Sequence, residues 1–188
     1  MRCSRVLRVM LLVSLSLIMA SSLWARKNVE IPANFGKDDW SVTHWEDAVR
    51  YLKYIADNNT RQKLLSVPES LRQEAWDEFW KKHDPVSSTP ANEFRDQYFA
   101  RVKYANENYG TNLRDGWLND MGEVYIRMGQ PMRTEKFTMR ASGRDLEVWE
   151  YWTNYDVQLV FLDRSGLGDF DLLNPAEMID QVYIYGSR

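Results

Sequence analysis

At 188 residues and a formal net charge of −3, the chain is the size of one domain and too acidic for nucleic acid or an anionic membrane surface. Its single cysteine, Cys3, sits at the extreme N-terminus, which excludes a disulfide framework, a thiolate nucleophile and a cysteine metal site from the body of the chain. Eight tryptophans and ten tyrosines promise instead a core of large aromatics, each burying about 150–250 Å².

The chain opens on Arg2, Arg5 and Arg8, followed by the apolar run from Val9 to Ala20 and then the small residues Ser21, Ser22 and Ala25. This is the order of a secretory signal peptide, with cleavage expected after Ser22 or Ala25. The apolar run falls short of the roughly 20 residues that span a bilayer, so residues 26–188 are expected to carry no membrane span. No cysteine follows the run, so a lipid anchor is not expected. The protein is therefore expected to be exported and periplasmic, with residues 1–25 as leader, 26–43 as an N-terminal extension and 44–188 as a single domain.

Helical periodicity comes first. Trp45, Ala48, Val49, Leu52, Ile55 and Ala56 share one face of a helix of about four turns. Ser66 and Glu69 form a capping-box pair, opening a helix that carries Leu71, Ala75, Trp76, Phe79 and Trp80 and stops near Asp84, before Pro85. Thr89 is expected to cap a third helix with Pro90 in its first turn. Ala91, Phe94, Tyr98, Val102, Ala105 and Tyr109 line its apolar stripe, and Gly110 ends it.

Beyond residue 112 the period falls to two. Val124, Ile126 and Met128 alternate with Tyr125 and Arg127 and predict a strand; Phe137 and Met139 predict a second, Val148–Trp152 a third and Val157–Leu162 a fourth. Turns are expected at Thr153–Asp156 and at Gly166-Leu167-Gly168, and Gln181 to Tyr185 is a further possible strand. The spacings are too short for helical crossovers. The expected fold is α+β, about three N-terminal helices followed by a mostly antiparallel four- to five-stranded sheet.

Spaced residues then carry a resemblance. Phe79-Trp80, Asp84-Pro85, Thr89-Pro90, Asn92-Glu93-Phe94, Tyr104-Ala105-Asn106, Gly116-Trp117 with Asp120, and the run from Val124 through Arg127 to Gly129 resemble the GWxTD domain family. Glu147–Tyr151 and the stretches Phe161–Arg164 and Gly168–Phe170 resemble its sheet portion. The chain departs from the pattern at Asn119, where the name-giving threonine would stand, and at His83, Met121 and Gln130. The resemblance implies an exported or envelope-associated bacterial domain and no particular reaction.

Chemistry-bearing candidates are few. Asp84, Asn92, Glu93 and Asp120 could form a carboxylate cluster for acid–base work or a divalent cation, but their positions at helix ends favour structural capping. His44 and His83 lack a second histidine at helical spacing, and no G-x-S-x-G elbow is present. Asp163, Asp169 and Asp171 lack the ligand spacing of an EF-hand, which favours a glycine-rich hairpin. No metal or other cofactor is expected. Trp149 and Tyr151 share one face of their strand, and with Trp117 they are the candidate binding residues. The expected function is non-enzymatic: protein binding or assembly in the envelope, with envelope proteins as partners. A carboxylate-dependent hydrolase or a glycan-binding protein is the alternative.

Overall fold

The computed structural model describes residues 31–173, apart from 113, 141 and 153–155. Among these described residues six α-helices come first: α1 (Asp38–Thr43), α2 (Trp45–Tyr51), α3 (Asn58–Leu65), α4 (Arg72–Lys82), α5 (Glu93–Tyr109) and α6 (Asp120–Met128). A four-stranded sheet follows, β1 (Arg133–Thr138), β2 (Asp145–Trp152), β3 (Asp156–Asp163) and β4 (Phe170–Leu172). Its strands run in chain order and every neighbouring pair is antiparallel. The architecture is α+β, as expected, with more helices than the periodicity implied. The possible strand from Gln181 to Tyr185 lies outside the described residues.

Of the additional helices, α3 arises from a cap rather than from an apolar stripe. Asp57 accepts a hydrogen bond from the Thr60 amide at 2.7 Å and so opens α3. Only Leu64 of that helix is buried, so no period announced it. Helix α1 lies in the stretch expected to be an extension, yet Trp40 belongs to the core and the packed domain begins before residue 44. The helix expected from Trp45 to Ala56 is α-helical to Tyr51 and tightens into a 3₁₀ turn at Leu52–Tyr54.

Two expected caps are displaced. Ser66 does not open α4: its hydroxyl donates back to Lys63 O at 2.7 Å, and a 3₁₀ turn at Glu69–Leu71 precedes the helix. Thr89 does not cap α5 either. Asn92 does, accepting from the Arg95 amide at 2.9 Å, which leaves Ala91 exposed ahead of the helix. Thr89 instead donates its hydroxyl to the Glu93 carboxylate at 2.8 Å.

The largest correction concerns Val124, Ile126 and Met128, which form α6 rather than a strand. Asn119 caps its start, and Gly129, with φ +82°, ends it in a conformation that favours glycine. The helix is buried on two sides: Ile126 enters the helical core, while Met121 and Val124 face the sheet. A helix sandwiched in this way places apolar residues two apart and so mimics a strand.

Two cores result. The first joins α1 to α5 through Trp40, Trp45, Trp76, Phe79, Trp80, Phe99 and their neighbours, and it includes Trp117. The second lies between α6 and the inner face of the sheet, where Trp149, Tyr151, Leu159 and Phe161 meet Met121 and Val124. Tyr109, at the end of α5, packs against both. Among the described residues no helix is long and apolar enough to cross a membrane.

Candidate functional site

The segment from Gly116 to Asp120 is the joint on which α5, α6 and the sheet converge. Gly116 stands so close to α5 that a Cβ there would lie 1.9 Å from Ala105 O and 2.6 Å from Gly110 N, so no side chain fits. Gly122, in the first turn of α6, is packed as tightly: its Cβ would lie 1.7 Å from Gly116 O. The Trp117 amide donates to Asn106 Oδ1 of α5 at 3.0 Å, and the Trp117 carbonyl accepts from the Tyr54 hydroxyl at 2.7 Å. Burial pushes the Tyr54 phenol up, which keeps it a proton donor. The indole of Trp117 meets Tyr51 at 4.9 Å between ring centroids, and the Arg50 guanidinium lies 5.8 Å from its centroid. Trp117 therefore serves the helical core.

Asn119 and Asn92 do the same work at two successive joints. Each accepts from the third residue on with Oδ1, Asn92 from Arg95 N and Asn119 from Gly122 N, at 2.9 and 2.7 Å. Each uses Nδ2 to hold the end of the preceding helix, Asn92 at Trp80 O (2.7 Å) and Asn119 at Tyr109 O. A threonine hydroxyl can likewise accept and donate at once, so the residue type named in the motif has the donor and acceptor that Asn119 uses here. Asp120 completes the joint by accepting from the Leu172 amide of β4 at 2.7 Å. Two further ties reach the sheet: the Tyr151 hydroxyl donates to Gly129 O at 3.0 Å, and Arg114 donates to both carboxylate oxygens of Asp169 at 2.8 Å.

The spacing of the motif is thus the spacing of a joint, and the family model of the GWxTD domain matches residues 27–169. The chain belongs to the GWxTD domain family. No curated protein and no solved structure matches it.

In this GWxTD domain the motif carboxylates do not converge. Asp84 accepts from the Val86 amide at 2.9 Å across Pro85, in an Asx turn that follows α4. Glu93 takes the Thr89 hydroxyl, and Asp120 takes β4. Among the described residues no group of three or more histidine, cysteine, aspartate or glutamate side chains could hold a metal ion. Phe79 and Trp80 are buried in α4, and Arg127 pairs with Glu123 along α6 at 3.3 Å. The histidines end helices: His83 Nδ1 lies 2.8 Å from Phe79 O, and His44 Nδ1 lies 3.1 Å from Trp40 O. An open groove of about 380 Å³ is lined by Pro85, Glu93, Phe94, Gln97 and Arg101. Its guanidinium already donates to Ile126 O and Arg127 O at the end of α6.

Of the three aromatics expected to bind, none is at the surface. Trp149 is 1% exposed, and Tyr151 and Trp117 are each 4% exposed, so they do not form an aromatic patch for a partner. The alternation in β2 buries Trp149 and Tyr151 and turns Trp152 outward, 66% exposed. Sequence alternation defined the two faces but not which one met α6.

The loop from Asp163 to Gly168 is built on one carboxylate. Asp163 is buried, yet it accepts from the amides of Ser165 (3.1 Å), Gly166 (2.7 Å) and Gly168 (2.7 Å). Burial alone would raise its pKa; the Gly168 and Gly166 amides and the Ser165 hydroxyl outweigh that and hold it below the usual carboxylate range. Asp171 pairs with Arg164 at 2.9 Å and Asp169 with Arg114, so the three aspartates are a loop frame rather than a calcium site. Because the folded pKa is lowered, the stabilisation is complete above the unfolded value, near 3.9, and is lost as pH falls through the folded value. Asp163→Asn is expected to destabilise the domain by about 1.5–3 kcal/mol at pH 7. Urea titrations should show that deficit shrinking below about pH 4; a deficit independent of pH would contradict the assignment.

Proposed function

We propose that this GWxTD domain is an exported, non-enzymatic binding component of the bacterial envelope that recognises other proteins. One observation carries the reading: of the polar residues of the motif, Asn92, Asn119 and Asp120 hold helices and β4 together, and Glu93 takes the Thr89 hydroxyl. A general acid or base has to face a substrate, and these groups face backbone or a neighbouring hydroxyl. The N-terminal order of arginines, apolar run and small residues supports export and a periplasmic address.

The contact point moves from Trp149 and Tyr151 to Trp152, the most exposed aromatic among the described residues. Exposed tryptophans are frequent anchors of protein interfaces, because they combine a large apolar area with little rotamer entropy. Crosslinking with mass spectrometry on intact cells is expected to recover envelope proteins with the wild-type chain and to lose most of them with Trp152→Ala. An unchanged partner list would sink the reading, and recovery from the cytoplasm with residues 1–25 intact would sink the address. An exposed indole also suits stacking on a sugar ring. Co-sedimentation with cell-wall glycan that depends on Trp152 would put glycan binding first.

A further inference from the structure

One end of the outer face of the sheet carries a contiguous apolar patch, bordered on the same face by Glu135, Glu150, Gln158 and Asp171. The register places Phe137, Leu146 and Leu162 side by side across β1, β2 and β3, with Val148 and Val160 as the adjoining pair. The inner positions of β2 and β3 are buried against α6, so these residues point away from the second core. They are not fully buried: Phe137 is 49% exposed, and Leu146, Val148 and Leu162 are half-buried.

The described chain ends at this face. The Leu173 amide donates to Val160 O at 2.8 Å, continuing the β3–β4 ladder by one residue beyond Leu172, and alternation sets Leu173 on the outer side. Residues 174–188 follow from there, carrying Met178, Ile179, Val182 and Ile184 with Tyr183 and Tyr185 between and after them. A stretch of that length reaches about 50 Å when extended, against a width of about 15 Å for four strands. It is long enough to cross the face and return, and its apolar residues match what the face lacks.

We propose that the outer face of the sheet is a docking surface for the chain's own segment 174–188, which covers Phe137, Leu146, Val148 and Leu162. The inference goes beyond partner binding and does not depend on it, since Trp152 lies at the opposite end of β2 from Leu146. The geometry favours this occupant over a second copy because the segment is already tethered at the edge of the face, which raises its effective concentration.

The test uses the full chain with Val148→p-benzoylphenylalanine, irradiated as a mixture of isotopically light and heavy protein. Crosslinks are expected to join the β2 peptide to residues 174–188 of the same isotope. Mixed-isotope pairs would assign the face to a second copy, and crosslinks absent from 174–188 would leave the segment elsewhere; either overturns the proposal. In the double variant Val182→Asp with Ile184→Asp, carbene labelling of Leu146, Val148 and Leu162 is expected at least to double while near-ultraviolet dichroism keeps its native form. Unchanged labelling would also overturn it.

Discussion

Gly116→Ala is expected to unfold the domain or to leave it with a small fraction of its stability. The added methyl would sit 1.9 Å from Ala105 O and 2.6 Å from Gly110 N, and both neighbours are backbone atoms that cannot swing aside. Relief requires α5 and the joint to separate, which would pull the Trp117 amide from Asn106 and loosen the anchor of α6. A loss on the order of 4 kcal/mol or more is expected, a large share of the roughly 5–15 kcal/mol that holds a typical domain. Urea unfolding followed by tryptophan fluorescence measures it. A variant with the wild-type midpoint would show that the joint has slack and that the glycine is not required by close approach. The first residue of the motif is thus explained by contact between backbones.

Trp149→Ala and Trp152→Ala are expected to differ sharply although the two residues share a strand. Trp149 packs at a tilt on Tyr109 and Phe161, with ring centroids 5.5 and 4.8 Å away, and its indole N–H donates to Glu147 at 2.8 Å. Removing it opens a cavity beneath the sheet and leaves a buried carboxylate short of a donor, a loss of about 3–5 kcal/mol. Trp152 projects into solvent, and its removal should change stability by no more than about 0.5 kcal/mol. Chemical denaturation of both variants settles the order. Equal midpoints would mean that the inner face of the sheet is not packed on α6 as described. The same contrast separates fold from function: loss of binding in Trp152→Ala cannot be attributed to unfolding, whereas loss in Trp149→Ala can.

Much of the fold was legible in residues 45–110 because single-sided amphipathic helices write their burial into the chain. Trp76, Phe79 and Trp80 mark α4, and Phe94, Tyr98, Val102 and Ala105 mark α5, each at helical spacing. The meander was legible for a similar reason, since alternation and short turns leave no room for crossovers. Helix α6 reads as a strand because it is buried on two sides, and α3 leaves no periodic signal because it is buried at one residue. Local pattern reports burial on one face, and both helices lack that simple condition.

The sequence by itself determined the class of the fold, the family and the residues of the motif, since these depend on period, turn chemistry and spacing along the chain. Only the tertiary structure decided what the motif does. Gly116, Asn119 and Asp120 acquire their roles from Ala105, Tyr109 and Leu172, partners brought near by packing rather than by chain order. The tertiary structure also decided which face of β2 met α6, burying Trp149 and Tyr151 and leaving Trp152 in solvent. Alternation makes two faces equivalent until a partner element covers one of them.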